Sequence, residues 1–479
     1  MLFNSLSYAV FLPIVFILYW LLPHKYRWVL LFIASYYFYM SWNVKYVVLI
    51  LFTTFVSYAA ALILEKQDSK KKKKIVLAIT AILCLGVLFF FKYFNFFSDS
   101  IVSFFNLFSI KLHPITLKLI LPVGISFYTF QTLSYVVDVY RGDVVAERHF
   151  GYYATFISFF PQLVAGPIER TSNLLPQIKA KHVFNYDQAT YGLKLMAWGF
   201  FKKMVIADGL SKYVSTIYDA PFNYSGFSLL LATLFFTIQI YCDFSGYSDI
   251  AIGSAKLFGI DLMTNFKSPY FSQSIKEFWS RWHISLSTWF KDYIYIPLGG
   301  NRVSKPRHFF NLVITFLASG LWHGANWTFV IWGGIHGVAQ GIENLIIPKS
   351  KSKSKGFIWL VRVAFVFIFV SFAWVFFVAN NLNDANYVLC NWYKGIGSIS
   401  SYIRNGFSDM GLGGTNLLFL IPSLLLLTIY DYFSLKGDVI EYISLKNRTL
   451  RWAIYVVFVV WLIVSMPYSN LNEFIYFQF

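Results

Sequence analysis

The chain has 479 residues, of which 57% are hydrophobic and 13% are charged, and its mean hydropathy is +0.58. Soluble domains carry about 25% charged residues, so this composition excludes a disordered chain, a collagen-like repeat and a purely soluble fold. The formal net charge of +18 does not indicate nucleic-acid binding, because the lysines and arginines collect in short loops between apolar segments, as in membrane proteins that keep positive loops inside the cell.

The first 115 residues are predicted to cross the membrane repeatedly. Their apolar segments alternate with the basic sequences PHKYR and EKQDSKKKKK, which mark the cytoplasmic side. The first segment lacks the basic start and cleavage site of a secretory signal, so it is interpreted as a retained span. The segments cover residues 7–22, 28–40, 46–64 and 75–97.

The middle of the chain, residues 116–347, has shorter and less regular apolar segments, at 119–140, 152–165, 193–206, 229–241, 309–321 and 327–342. Polar sequences that contain glycine and proline interrupt them. In hydrocarbon, such backbone and charges are tolerated only inside protein or beside a water-filled cavity. This region is therefore predicted to form an internal polar site surrounded by ordinary helices.

Residues 348–479 return to ordinary spans, at 357–379, 417–433 and 453–466, after a second lysine run, PKSKSKSK. The loop at 380–415 has few basic residues and is placed outside the cell. Counting from both ends puts both termini outside, which requires an even number of crossings. The whole chain is predicted to be a single all-α polytopic membrane domain.

The strongest candidate for chemistry is His323, in the sequence SGLWHGANW. The apolar stretch before it is long enough to place it deep in the membrane, where a histidine is costly unless it is paired or functional. Histidine can act as a general base near neutral pH, and Gly320 and Gly324 leave room for a substrate. Trp322 and Asn326 are assigned supporting roles. The alternative is a neutral histidine that only bonds to a neighbouring helix.

A second candidate region is the aromatic segment FWSRWHISLSTWFKDYIYIPLGGNR, which holds His283 beside Arg281 and Trp282, followed by Lys291 and Arg302. The pattern suits an interfacial or re-entrant segment whose basic residues hold the phosphates of a large anionic cofactor from the cytoplasmic side. It is equally typical of an amphipathic interfacial helix with snorkelling side chains.

Polar residues also gather in YCDFSGYSD, where Asp243, Ser245 and Asp249 are expected at the end of an apolar span. The carboxylates could orient a catalytic histidine, pair with Arg281 or bind a cation, and helix capping is an equal alternative. His336, in WGGIHG, is interpreted as a packing residue in preference to a member of the site. The cysteines show no metal-binding spacing, and no metal site is predicted.

Taken together, these motifs resemble the membrane-bound O-acyltransferase superfamily, and within it the bacterial branch with the membrane subunit of alginate O-acetylation. The similarity extends from the opening FLPIVFILYWLLP through PVGISFYTFQTLSYVVDVYRG, FPQLVAGPIER and DFSGYSDIAIGSAKLFGI to the FIYF ending. It implies a ring of about 10–12 transmembrane helices, with re-entrant or interfacial helices, around a central polar funnel. It also implies acyl transfer to a hydroxyl, with the family's catalytic histidine at His323 and its second histidine at His283.

The leading hypothesis is a bacterial inner-membrane enzyme that takes acetyl from cytoplasmic acetyl-CoA for O-acetylation of an extracytoplasmic polysaccharide. That polymer could be alginate, another exopolysaccharide, cellulose or peptidoglycan. No tightly bound cofactor is expected, and a secreted or membrane-anchored SGNH-type acetyltransferase or esterase is the expected partner, alongside membrane lipid. The alternatives are a polysaccharide or ion transporter, a non-catalytic scaffold, and a D-alanyl transferase of the same superfamily, whose branch matches less well.

The chain ends in the aromatic sequence NEFIYFQF. Tyr476 offers a hydroxyl that could accept the acetyl group and pass it on to a serine of a secreted partner. The alternative is that the aromatic side chains only anchor the terminus at the membrane interface.

Overall fold

The structure is a computed structural model that describes residues 1–164, 166–346, 354–466 and 474–475. Over these residues the regular secondary structure is all helical and contains no β-strand, which confirms the all-α prediction. Within the described residues, six segments are long and apolar enough to cross a membrane: Val44–Lys66, Lys70–Asn106, Phe227–Leu257, Gly356–Val378, Gly414–Ser434 and Arg448–Ser465. The chain is thus a polytopic membrane protein, and the count of 10–12 spans stays a prediction.

Contacts group the chain into two compact units, the first made of Met1–Leu193 and Ala251–Met263. Its helices are α1 (Leu6–Leu21), α2 (His24–Met40), α3 (Val47–Lys66), α4 (Lys70–Leu88), α5 (Phe94–Asn106), α6 (Ile125–Arg141), α7 (Phe150–Ser158), α8 (Phe160–Leu163), α9 (Thr171–Lys179) and most of α10 (Tyr186–Phe200). The second unit comprises Lys194–Ile250 and Thr264–Phe479.

The second unit holds every predicted site residue that the structure describes. Its helices are α11 (Asp208–Tyr218), α12 (Phe227–Leu257, whose last turns belong to the first unit), α13 (Ile275–Arg281), α14 (Ile284–Phe290), α15 (Lys305–His323), α16 (Trp327–Ile346), α17 (Gly356–Val378), α18 (Leu382–Asn391), α19 (Ile399–Asp409), α20 (Gly414–Ser434), α21 (Val439–Ser444) and α22 (Arg448–Ser465). A π-helical segment, Phe201–Ala207, joins α10 to α11. The predicted single domain, with segments 1–115, 116–347 and 348–479, stays a prediction.

Two apolar stretches of the first unit fold differently from the simplest expectation. The stretch at 119–140 becomes helical only at Ile125, shortly after Pro122, because proline disfavours helical backbone in the residue before it. The stretch at 152–165 is broken at Phe159, which is not helical and is followed by Pro161 near the start of the short α8. Pro122 and Pro161 lie beside these two boundaries, and Gly124, directly before α6, has left-handed backbone with a φ of +75°.

The polar sequence YCDFSGYSD does not end a span, as the sequence suggested. It lies inside α12, which continues for 31 residues. The expected position of Asp243, Ser245 and Asp249 at a helix end was therefore wrong. Lysines of the segment before α11 pair with the two carboxylates, so the helix can carry these side chains internally without an exposed end.

Helices α15 and α16 pack backbone to backbone, and this contact positions His323. A Cβ atom added at Gly320 would lie 2.2 Å from the backbone oxygen of Phe329, and one added at Gly333 would lie 2.2 Å from that of Phe316. Small residues at such contacts are typical of helix packing in membranes. Helix α15 ends at His323, because Gly324 has extended backbone, and the Asn326 side chain accepts a bond from the Thr328 N–H at the start of α16.

Candidate active site

His283 and His323 come together inside the second unit. Their ring centres lie 6.2 Å apart, and the two residues are 0% and 2% exposed. His323 is the last residue of α15, whereas His283 lies at the junction between α13 and α14. Two histidines that sequence analysis selected from separate motifs thus share one buried site. Their catalytic roles stay a prediction.

Aromatic rings surround this histidine pair. Trp322 lies 5.0 Å from His323 and 6.0 Å from His283, measured between ring centres. Trp332 and Phe377 contact His323 edge-on at 5.0 Å and 5.5 Å. Burial lowers the pKa of the His283 imidazole well below its ordinary value, because it penalises the charged form. Neutral imidazole is the form that can accept a proton.

The backbone of His283 is held in an unusual conformation. Its φ angle is +43°, in the left-handed region that costs most residues about 1–3 kcal/mol. Asn265 supports it from a loop: its carbonyl oxygen accepts the N–H of Ile284 at 2.9 Å, and its side-chain oxygen accepts the Ser285 hydroxyl at 2.6 Å. Its amide in turn donates to Ser248 at 3.1 Å. Sequence analysis missed Asn265, because nothing in its local sequence marks it.

Arg281 and Trp282, predicted to support the donor, occupy structural positions. Arg281 forms an ion pair with Glu277 at 2.8 Å and donates to the carbonyl oxygen of Lys267. Trp282 is fully buried and packs 5.1 Å from Trp374. The assignment of both residues to donor binding stays a prediction.

A cavity of about 880 Å³ is lined by Ile284, the residue after His283, and by Ser319 of α15, while the two histidines are not among its lining residues. Lys276, Lys291 and Arg302 line it, and all three are exposed. Apolar walls include Trp279, and the lining reaches Ser319, one helical turn before His323 on α15. The sequence segment around His283 had drawn attention to Lys291 and Arg302, but Lys276 was missed.

The acidic residues of α12 are paired with lysines and not with Arg281. Lys203 contacts Asp243 at 2.6 Å and Asp208 at 2.8 Å. Lys202 contacts Asp249 at 2.7 Å and donates to the hydroxyl of Ser245 at 2.9 Å. We call this set of side chains the lysine–aspartate cluster. Both lysines lie far in sequence from Asp243 and Asp249, so no motif linked them to these two carboxylates.

Two further predicted residues are placed by hydrogen bonds. His336 is fully buried and accepts a bond from the Trp279 indole at 3.2 Å, and its interpretation as a packing residue stays a prediction. Asn326 donates to the carbonyl oxygen of Asn380 at 3.0 Å. Tyr476 lies outside the described residues. Within the described part of the chain, histidine, cysteine and acidic side chains form no group of three that could hold a metal ion.

Comparison with known proteins places this site in a family. Residues 144–380, which contain both histidines, match the sequence profile described as "MBOAT, membrane-bound O-acyltransferase family". The chain is also 35% identical to a probable alginate O-acetylase of Pseudomonas putida, over 98% of each chain. It belongs to the membrane-bound O-acyltransferase family.

Other members of this O-acyltransferase family show the same similarity. A probable alginate O-acetylase of Azotobacter vinelandii is 41% identical, over 78% of this chain and 74% of that protein. A peptidoglycan O-acetyltransferase of Helicobacter pylori is 38% identical, over 81% of this chain and 79% of that protein. The chain is thus a membrane O-acyltransferase, and the resemblance found in its sequence is confirmed.

Proposed function

We propose that this O-acyltransferase transfers acetyl groups from cytoplasmic acetyl-CoA for O-acetylation of a polysaccharide outside the membrane. The observation that carries the proposal is the buried pair of His283 and His323, together with a cavity that reaches Ile284 and Ser319 and has basic residues at its rim. The names of the relatives, which specify O-acetylation of alginate or peptidoglycan, support acetyl as the acyl group and a glycan as the acceptor.

The cavity suits a thioester donor with phosphate groups. Lys276, Lys291 and Arg302 can hold phosphates at the rim, where charged side chains stay hydrated. The volume falls within the range of pockets for small molecules and cofactors, about 300–1,000 Å³. A donor bound this way would direct its acyl end along α15, past Ser319 and toward His323.

His323 is proposed as the general base. An alcohol or phenol with its ordinary pKa is protonated near neutral pH and attacks a thioester slowly. It therefore needs a positioned base that removes its proton. In the step we propose, the acceptor oxygen gives its proton to His323 and attacks the acetyl carbonyl. A C–O bond forms, the C–S bond breaks, and the departing CoA sulfur takes the proton from the imidazole. His283, whose ring centre lies 6.2 Å from that of His323, orients the donor.

The acceptor at this step is proposed to be the Tyr476 hydroxyl. Phenolate, with a pKa of about 10, is a better leaving group than an alkoxide, so an acetyl-tyrosine can pass its acyl group onward. A serine of a secreted or membrane-anchored SGNH-type partner would then attack this ester and release the tyrosine. Such a relay needs the C-terminus on the outer side, in line with the proposed inner-membrane location and external termini.

The test is acetyl transfer by purified protein in proteoliposomes, with radiolabelled acetyl-CoA supplied on one side. Wild type is expected to consume the thioester, whereas His323→Ala is expected to be inactive at normal membrane abundance. Glycan movement without thioester consumption would favour a transporter. Turnover of a D-alanyl donor but not acetyl-CoA would favour the D-alanyl transferase alternative, and full activity of His323→Ala would remove the catalytic assignment.

A further inference from the structure

The lysine–aspartate cluster is a buried ionic site that the acyl-transfer chemistry does not use. Lys202 and Lys203 are only 4% and 3% exposed. Buried charges are stable only where they are paired, and each lysine faces a carboxylate of α12. The arrangement requires close helices: a Cβ added at Gly246 of α12 would lie 2.7 Å from the backbone oxygen of Gly199.

Asp243 differs from the other carboxylates of this cluster in what its second oxygen binds. Its Oδ1 contacts Lys203 at 2.6 Å, and its Oδ2 accepts the main-chain N–H of Ile475 at 2.8 Å. Ile475 is 7% exposed and lies near the end of the chain in sequence. A side chain in the middle of α12 therefore holds the backbone of Ile475, which together with Phe474 we call the C-terminal segment.

Aromatic contacts extend this anchor toward the histidine pair. Phe474 is 1% exposed, and its ring centre lies 4.7 Å from Tyr247 and 5.5 Å from Phe244. Phe244 also contacts His283 edge-on at 4.5 Å. One ring thus separates the C-terminal segment from His283, and the anchoring residues all lie on one stretch of α12.

We propose that Asp243, with its charge balanced by Lys203, is the positioning residue that docks the chain's own C-terminal segment at the active site. The ligand of this site is an aromatic peptide segment, recognised through one main-chain N–H and the ring of Phe474. A carboxylate gives a stronger bond to an N–H than a neutral acceptor does. The docking contact stands on its own, and only its purpose, delivery of Tyr476 for acyl transfer, rests on the proposed function.

The docking is tested by hydrogen–deuterium exchange of the C-terminal peptide in the full-length protein. Asp243→Asn keeps an oxygen acceptor but removes the charge, and it is expected to raise exchange in this peptide about tenfold. Asp249→Asn is the matched control, because it makes the same change on the same helix at the Lys202 ion pair. The control is expected to leave the exchange of the C-terminal peptide at the wild-type level.

A second pair of variants addresses the main-chain bond. Ile475→Pro removes the N–H without changing Asp243 or Lys203, whereas Ile475→Ala keeps it. We expect faster exchange of the remaining C-terminal amides only in the proline variant, together with at least a tenfold lower acetyl-transfer rate at unchanged KM for acetyl-CoA. The docking proposal would be overturned if the C-terminal peptide exchanged at the wild-type rate in both Asp243→Asn and Ile475→Pro. It would also be overturned if Asp249→Asn raised the exchange of this peptide as much as Asp243→Asn does.

Tyr476→Phe separates this inference from the proposed relay. If docking is correct, the C-terminal peptide stays protected in this variant whether or not acetyl transfer is lost. Protection of the C-terminal peptide together with full acetyl transfer would contradict the relay but would agree with the docking proposal. Loss of protection on removal of this hydroxyl alone would contradict the anchor, because it would show that Asp243 and Phe474 do not hold the segment.

Discussion

The second unit buries two polar sites in different ways. The lysine–aspartate cluster holds full charges, and short ion pairs accompany them. The site of His283 and His323 is enclosed by aromatic rings, an environment that a neutral imidazole tolerates and a charged group does not. Ion pairs therefore stabilise the first site, whereas aromatic packing holds the imidazole rings of the second site in place.

The largest expected effect is that of His323→Ala on catalysis. Loss of a general base reduces the rate by about 10²–10⁴-fold, while the abundance of the variant in the membrane should stay normal. The matched control is His336→Ala, another buried histidine, which we expect to lower stability and to change acetyl transfer by less than about tenfold. Equal losses of acetyl transfer in the two variants would contradict the assignment of a catalytic role to His323 and a packing role to His336.

Lys203→Met should show its largest effect on stability. It leaves Asp208 and Asp243 buried without this partner, and breaking a buried ion pair costs about 3–5 kcal/mol of stability. Denaturant or thermal unfolding of the purified protein in detergent measures the loss. A normal unfolding midpoint would mean that the cluster is not the framework inferred from its short distances.

Asn265→Ala should have an intermediate effect, on both properties. It removes the acceptor for Ser285 beside the left-handed backbone of His283, and an unsatisfied buried group costs about 1–3 kcal/mol. Because His283 would lose its support, we expect acetyl transfer to fall by about 10–100-fold. Ser248→Ala, which removes only the outer bond of Asn265, serves as the control and should be milder on both measures.

The smallest expected effect is confined to donor affinity. Arg302→Ala removes one phosphate contact at the cavity rim, so KM for acetyl-CoA should rise about tenfold with kcat unchanged. Arg281→Ala is the informative comparison, since Arg281 already pairs with Glu277. A larger rise of KM for Arg281→Ala than for Arg302→Ala would move the donor's phosphates to the α13 side, as sequence analysis first suggested.

Local sequence revealed the side chains of the site better than their partners. His283 and His323 stand in motifs with glycines and tryptophans that a single sequence displays. Asn265 acts through a loop, and the lysines of the cluster come from a segment distant from α12. Such pairings depend on how the helices pack, and the spacing of residues in a single sequence does not reveal this packing.

The helices of the fold could also be predicted only in part from the local sequence. Hydropathy located the apolar helices, but it placed the end of a span at YCDFSGYSD, where α12 continues. A polar patch signals a helix end only if water or a cap must satisfy it. Here Lys202 and Lys203 do so from a neighbouring segment, a fact available only once the close approach of Gly199 and Gly246 is known.

The backbone contact between α15 and α16 has a consequence for motion during turnover. Because Gly320 and Gly333 leave no space between the helices, these two helices should move as one rigid body, with His323 fixed to it. Any opening of the histidine site that keeps this body intact would involve its other walls, which include the α13–α14 junction and Phe377 of α17. In such a movement His323 would keep its place against Trp332 of α16.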